Sequence, residues 1–144
     1  MSLTLEQAQT IIAKTLEHGA TVKFRPLGVV VMDGRGTVKA AAIQDGSSLA
    51  RFDIASAKAR GAMAFNMGTR ALEKIAKDRP HFLTGAVSAI AGGIVPVPGG
   101  VLVKASDGKI LGAVGVSGDT SDNDEAAALA GIAAAGLVGD GGQA

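Results

Sequence analysis

The chain has no cysteine, no tryptophan and no tyrosine, and only four phenylalanines among 144 residues. Without cysteine there is no disulfide, no thiolate nucleophile, no iron–sulfur cluster and no thiolate zinc site; the composition fits a reducing compartment, and a cytoplasmic protein is expected. Without aromatic residues interleaved among the Lys and Arg there is no platform on which single-stranded bases would stack. A net charge of +1 gives no field that would gather nucleic acid or hold an anionic membrane surface. No stretch reaches the ~18 uninterrupted apolar residues of a membrane span. The start, "MSLTLEQAQTII", lacks the basic segment and apolar run of a secretory signal.

What the chain has is small apolar residues. It is 47% hydrophobic with 21 glycines, so Ala, Val, Ile and Gly must fill the interior and elements must approach closely. One domain over residues 1–144 is expected. Subunit association into a homo-oligomer is expected to complete so light a core. Charge is uneven. From Arg51 to Arg79 there are seven Lys or Arg against Asp53, Glu73 and Asp78, whereas from Ile110 onward there are five acids and no base. The segregation reads either as two solvated faces or as head-to-tail packing between subunits.

Thr4 and Gln7 form a capping box ahead of a helical stripe at Leu5, Ala8, Ile12 and Leu16, and Gly19 closes that helix. Leu27–Met32 and Thr37–Ile43 read as strands joined by the turn Asp33-Gly34-Arg35-Gly36. Asp53 is expected to cap a helix to Met67 with a small packing face at Ala57, Gly61, Ala64 and Gly68, and Thr69 to open another through Leu72, Ile75 and Ala76. The segment from Pro80 is ambiguous between helix and strand. Strands are expected to resume near Ile94–Val95 and Val101–Lys104, with a turn at Asp107-Gly108. Ile110–Ser117 has no polar face and reads as a central strand covered on both sides. Ala126–Leu137 is an Ala-rich helix, and residues 139–144 read as a frayed tail. The order favours α+β, with helices packed on an antiparallel sheet of about five strands.

The stretch from Gly112 to Glu125, "GAVGVSGDTSDNDE", concentrates the chemistry. Asp119, Asp122, Asp124 and Glu125 lack the spacing of a Ca²⁺ loop. Gly115, Ser117 and Gly118 miss the nucleophile elbow because the last Gly falls one position early. What remains is strand, Gly turn and helix start, with Ser121 or Asp122 as the cap and the acids complementing the helix dipole. The functional alternative uses Ser117, Gly118 and the free N–H groups beside them as one wall of a ligand site. Its ligand carries hydroxyl or basic groups, or is balanced by a cation such as Arg51.

"PLGVVVMDGRG", "DGSSLARFDIASAKARGA", "VPVPGGVLV" and above all "GAVGVSGDTSDNDE" together resemble the GlcG/HbpS-like, or haem-degrading, domain family, also found at the C-terminal end of PduO-type proteins. The likeness spans Leu5 to Leu137. It implies a profilin-like α+β domain, dimers, tetramers or octamers, and links to haem binding or degradation; other members sit among catabolic genes for glycolate, diols or aromatics. Ligand contacts are then expected from Asp53, Gly93, Pro96, Gly99, Gly100, Ser117, Gly118, Asp119, Asp122 and Glu125. The chain departs from the pattern at Ile43, where relatives usually carry Arg, and at Leu102, where many carry Pro.

Haem iron needs an axial ligand, and the candidates are His18, at the end of the first helix, and His81, after Pro80. His18 also has an ordinary role there, since imidazole suits a helix C-terminus. A cofactor-independent enzyme acting on a small hydroxy- or oxo-acid would draw on Lys58, Arg51 and Asp33. Lys58 sheltered between helices would lose basicity and act as base or electrophile, whereas a snorkelling surface lysine would not. A third reading is an inert oligomer that binds a metabolite or partner.

Overall fold

Valine at consecutive positions in β1 (Gly28–Asp33) sends alternate side chains to opposite faces of a sheet. Val29 and Val31 join one apolar cluster, and Val30 and Met32 join another. The computed structural model describes residues 2–143. Its other elements are α1 (Leu5–Thr21), β2 (Val38–Ile43), α2 (Ala50–Phe65), α3 (Thr69–Asp78), α4 (Pro80–Ala89), β3 (Gly100–Lys104), β4 (Ile110–Ser117), α5 (Ser121–Ala134) and β5 (Val138–Asp140). The strands form one antiparallel sheet in the order β2-β1-β4-β3-β5. The α+β expectation holds, with α1 and α5 on one face of the sheet and α2 on the other.

β4 is the middle strand and is buried from Leu111 to Ser117, as a run without a polar face requires. Helix α2 rests directly on it: a Cβ on Gly115 would overlap the Ala55 carbonyl oxygen. Ala55, Ala59 and Ala62 supply that contact with Val30, Leu102 and Ala113. Of the expected packing face, Ala57, Gly61 and Gly68 are buried, with Gly61 against Leu72 and Ile94, whereas Ala64 is exposed.

Thr4 and Gln7 form the expected capping box. α2 starts earlier than expected, at Ala50, and Leu49 at its N-cap makes no side-chain hydrogen bond. Asp53 therefore lies in the first turn, exposed to solvent, where it complements the helix dipole. α5 is capped by Thr120, whose hydroxyl accepts from the Asn123 N–H, and not by Ser121 or Asp122.

The ambiguous segment from Pro80 is helix α4. Pro80 stands at its start, where the missing N–H is no loss, and Leu83 is its buried residue. Ile94 and Val95 do not form a strand. Ile94 instead packs under α2 and α3 beside Leu72 and Leu83.

Residues 139–143 are anchored, not frayed. Gly139 and Asp140 pair with Val103 and Leu102. Asp140 is bridged by Lys104 at 2.7 Å, and the Gly141 carbonyl oxygen accepts from the Arg70 N–H. Ala144 lies outside the described residues. Among the described residues no helix is long and apolar enough to cross a membrane.

Candidate ligand-binding sites

β1 and β4 run antiparallel with Gly28 opposite Ser117 and Asp33 opposite Gly112. The pairing sorts the candidate residues into two ends of the sheet. At the first end, the chain leaves β4 through Ser117, Gly118 and Asp119 into α5, alongside the start of α2. A Cβ on Gly118, at φ +152°, would overlap the Pro26 carbonyl oxygen. Only glycine lets the chain turn there beneath the segment that enters β1.

Arg51, one residue into α2, reaches this turn. Its Nη1 donates to Ser117 Oγ at 2.7 Å and its Nε to Ser48 Oγ at 3.0 Å. Arg25, Pro26, Gly46, Ser47, Ser48, Arg51, Gly118 and Asp119 line a recess of about 400 Å³ here. Ile43 and Arg51 lie on either side of Gly28: a Cβ there would stand 3.0 Å from both side chains.

Asp119 faces inward on its own loop. Its carboxylate accepts from the Arg25 N–H at 2.7 Å, from Asn123 Nδ2 at 2.7 Å and from the Thr120 N–H at 2.8 Å. These donors, with Arg25 Nε 3.6 Å away, hold its pKa down at about 2.

Beneath the turn lies a buried ion pair. Lys58 Nζ donates to Asp124 Oδ2 at 3.0 Å and to the Val116 carbonyl oxygen at 2.9 Å, and Asp124 Oδ1 accepts from the Asp119 N–H at 2.9 Å. The two side chains are 3% and 2% exposed. Burial pushes Lys58 down from the ordinary lysine range, against the pull of Asp124, and pushes Asp124 up against that of Lys58. Lys58 is thus neither a snorkelling surface residue nor open to a substrate. It ties α2 to the start of α5.

Other candidates lie apart. Asp33 is at the far end of β1, in the turn to β2. Burial raises its pKa, but the N–H groups of Arg35 and Thr37 and the Arg35 guanidinium outweigh that and hold it below the usual range. Lys58, Arg51 and Asp33 therefore do not converge. Asp122 and Glu125 bind Arg70 of α3, and Glu125 also accepts from Gln143 Nε2. Gly99 and Gly100 pack against Lys58 and Thr69. Gly93 accepts from Arg60, and Pro96 sits half-buried in the connection to β3.

His18 lies in the last turn of α1, half-buried, edge-on to Phe24 with ring centroids 5.9 Å apart. With Lys14, Glu17, Thr21, Ala130 and Ala134 it lines a shallow recess of about 250 Å³ across α1 and α5. His81 is exposed in the first turn of α4.

Asp124, Arg70, Arg25 and Ser48 were missed as structural partners of these sites. Asp124 carried a readable signal: it shares the α5 stripe of Ala127, Ala128 and Gly131, all buried, so a charge there had to find a partner. Arg70 and Arg25 carried none, because their partners are 55 and 94 residues away and only the fold joins them; Ser48 lies three residues from Arg51, a local spacing that was open to reading.

A protein-family model described as "Haem degrading protein HbpS-like" matches residues 3–133. Among solved structures, a double mutant of Streptomyces reticuli HbpS is 30% identical, with a TM-score of 0.80 over 92% of this chain and 86% of that one. A haem complex of PduOC is 24% identical, with a TM-score of 0.84 over 99% of this chain and 100% of that one. The Klebsiella pneumoniae protein ORFY is 24% identical, with a TM-score of 0.80 over 93% and 90%. No curated protein matches the chain by sequence. The family match over residues 3–133, with an HbpS structure 30% identical over 92% of the chain, makes the chain a member of the HbpS-like family.

Proposed function

We propose that the protein binds haem, with His18 as the axial ligand, on a surface completed by a second copy of the chain. The observation that carries this reading is the setting of His18. Its imidazole is partly open to solvent, braced by Phe24, at the edge of a recess whose far side is made of the small residues Ala130 and Ala134. The donor chemistry fits haem iron, which takes imidazole readily as a fifth ligand, and the small residues would let a flat macrocycle lie close to the helices. At about 250 Å³ the recess is smaller than the roughly 300–1,000 Å³ of sites that enclose a ligand. One subunit therefore offers a platform, and a partner's surface supplies the cover. Support from relatives is of the same kind: the family is described as haem-degrading, and a haem complex exists for the related PduOC fold.

Haem titration followed at the Soret band tests the reading. Wild type and His81→Ala are expected to shift the band with equal affinity, and His18→Ala to lose the shift or weaken binding by at least about tenfold. Equal titrations for wild type and His18→Ala would remove His18 as ligand. No Soret shift in wild type would remove haem altogether.

A further inference from the structure

We infer that the recess between the β4–α5 turn and the start of α2 is a separate binding site for the carboxylate group of a small monoanionic acid, with Arg51 as its recognition residue. This goes beyond the haem reading and does not depend on it.

Arg51 has no carboxylate partner within 4.0 Å among the described residues, although the acid-rich turn begins two residues beyond Ser117. Neutral hydroxyls hold it instead, Ser117 on Nη1 and Ser48 on Nε. A guanidinium has five N–H donors, so two are used to fix its position and the others remain for a ligand. Planar, forked donation is the geometry that matches a carboxylate.

An independent observation lies on the same wall. Ser47 Oγ is buried and has no hydrogen-bond partner, and Ser47 lines the recess. A buried hydroxyl left without a partner is uncommon; because its oxygen is enclosed, the Ser47 side chain would have to turn toward the recess to meet a carboxylate oxygen held by Arg51. The charges in the lining set the class of ligand. Arg25 and Asp119 pair with each other, which leaves Arg51 as the net positive charge among the lining residues. One uncompensated charge suits a monocarboxylate better than a doubly charged phosphate.

A carboxylate could reach this recess from a free small acid or from a haem propionate; we assign it to the free acid. The test is thermal shift and calorimetric titration of the full chain with lactate, acetate and inorganic phosphate, beside a Soret titration with haem. Saturable stabilisation of wild type by lactate or acetate, absent with phosphate at equal ionic strength, is expected. Arg51→Gln should weaken that binding by at least about tenfold, the loss that attends removal of a charge-assisted hydrogen bond. His18→Ala should leave it unchanged, and Arg51→Gln should still bind haem. Should Arg51→Gln not fold, Ser47→Ala is the second variant and is expected to weaken carboxylate binding at unchanged stability. The inference is overturned by equal binding in wild type and Arg51→Gln (or Ser47→Ala where that variant is used), by phosphate binding as tightly as lactate, or by no response to either carboxylate. Loss of haem binding in Arg51→Gln, with no response to free acids, would reassign the recess to a propionate.

Discussion

Lys58 and Asp124 meet where α2, β4 and α5 come together, and neither has access to solvent. Removing one partner from such a pair leaves a buried charge alone. Asp124→Ala should therefore cost about 3–5 kcal/mol, read as a lower urea midpoint, and it also strands the Asp119 N–H. The double variant Lys58→Met, Asp124→Leu should recover most of that loss, since apolar replacement of both charges is often neutral or better. No recovery would show that the hydrogen bonds to Val116 and Asp119 matter more than the charge pairing. Asp119 gives a pH signature. Its folded pKa of about 2 lies below its ordinary 3.8, so the folded state binds that proton less tightly than the unfolded chain. Its stabilisation is complete above roughly pH 4 and is lost as the pH falls toward 2. Asp119→Asn should flatten the dependence of stability on pH in that window, and an unchanged slope would place the acid sensitivity elsewhere.

At the scale of elements, the turn from β4 into α5 is held from both sides. Thr120 caps the helix, so Thr120→Ala should cost about 1 kcal/mol. Gly118 has a larger effect, because a side chain there meets the Pro26 carbonyl at a backbone angle that L residues rarely adopt. Gly118→Val should exceed the ~1 kcal/mol typical of a single substitution by a clear margin; an unchanged melting temperature would show the turn is merely permissive. Arg70 links three elements. It donates to Asp122 and Glu125 of α5, and its backbone N–H donates to the Gly141 carbonyl oxygen after β5. These carboxylates raise its pKa. Arg70→Ala should leave Glu125 underpaired and speed hydrogen exchange at residues 138–143 relative to β4.

At the scale of the molecule, opposite charges that are far apart in sequence meet within one chain. Lys58 with Asp124, and Arg70 with Asp122 and Glu125, pair the basic segment with the acidic one. Much of the charge asymmetry is thereby used inside the subunit. Head-to-tail charge pairing between subunits is accordingly not the basis on which we expect association. Exposed apolar residues are the better motive: Leu5, Val22, Phe52, Phe82 and Val87 all stand at least 36% exposed. Light scattering is expected to give a mass above the 14.2 kDa chain, and a monomer mass at all concentrations would overturn the shared-cleft part of the haem reading.

Local chemistry determined much of this protein before any folding. The Thr4–Gln7 capping box and the turn at Asp33–Gly36 depend on neighbours a few residues away, and sequence spacing exposes such dependence; the unbroken apolar run of β4 marked that strand for burial. The resemblance carried by the stretch from Gly112 to Glu125 added the family. Tertiary structure alone decided which charges meet. The Arg25–Asp119 and Lys58–Asp124 contacts join residues 94 and 66 positions apart, and no local period announces them. It also decided the ends of the chain's weaker elements. Pro80–Ala89 and residues 138–143 have little preference of their own and take their form from what they are packed and hydrogen-bonded against: Leu72 and Ile94 for α4, and β3, Arg70 and Glu125 for the C-terminal segment. Whether Arg51 binds its own protein or a ligand is likewise a property of the fold, because it depends on the acids of the β4–α5 turn having found other partners first.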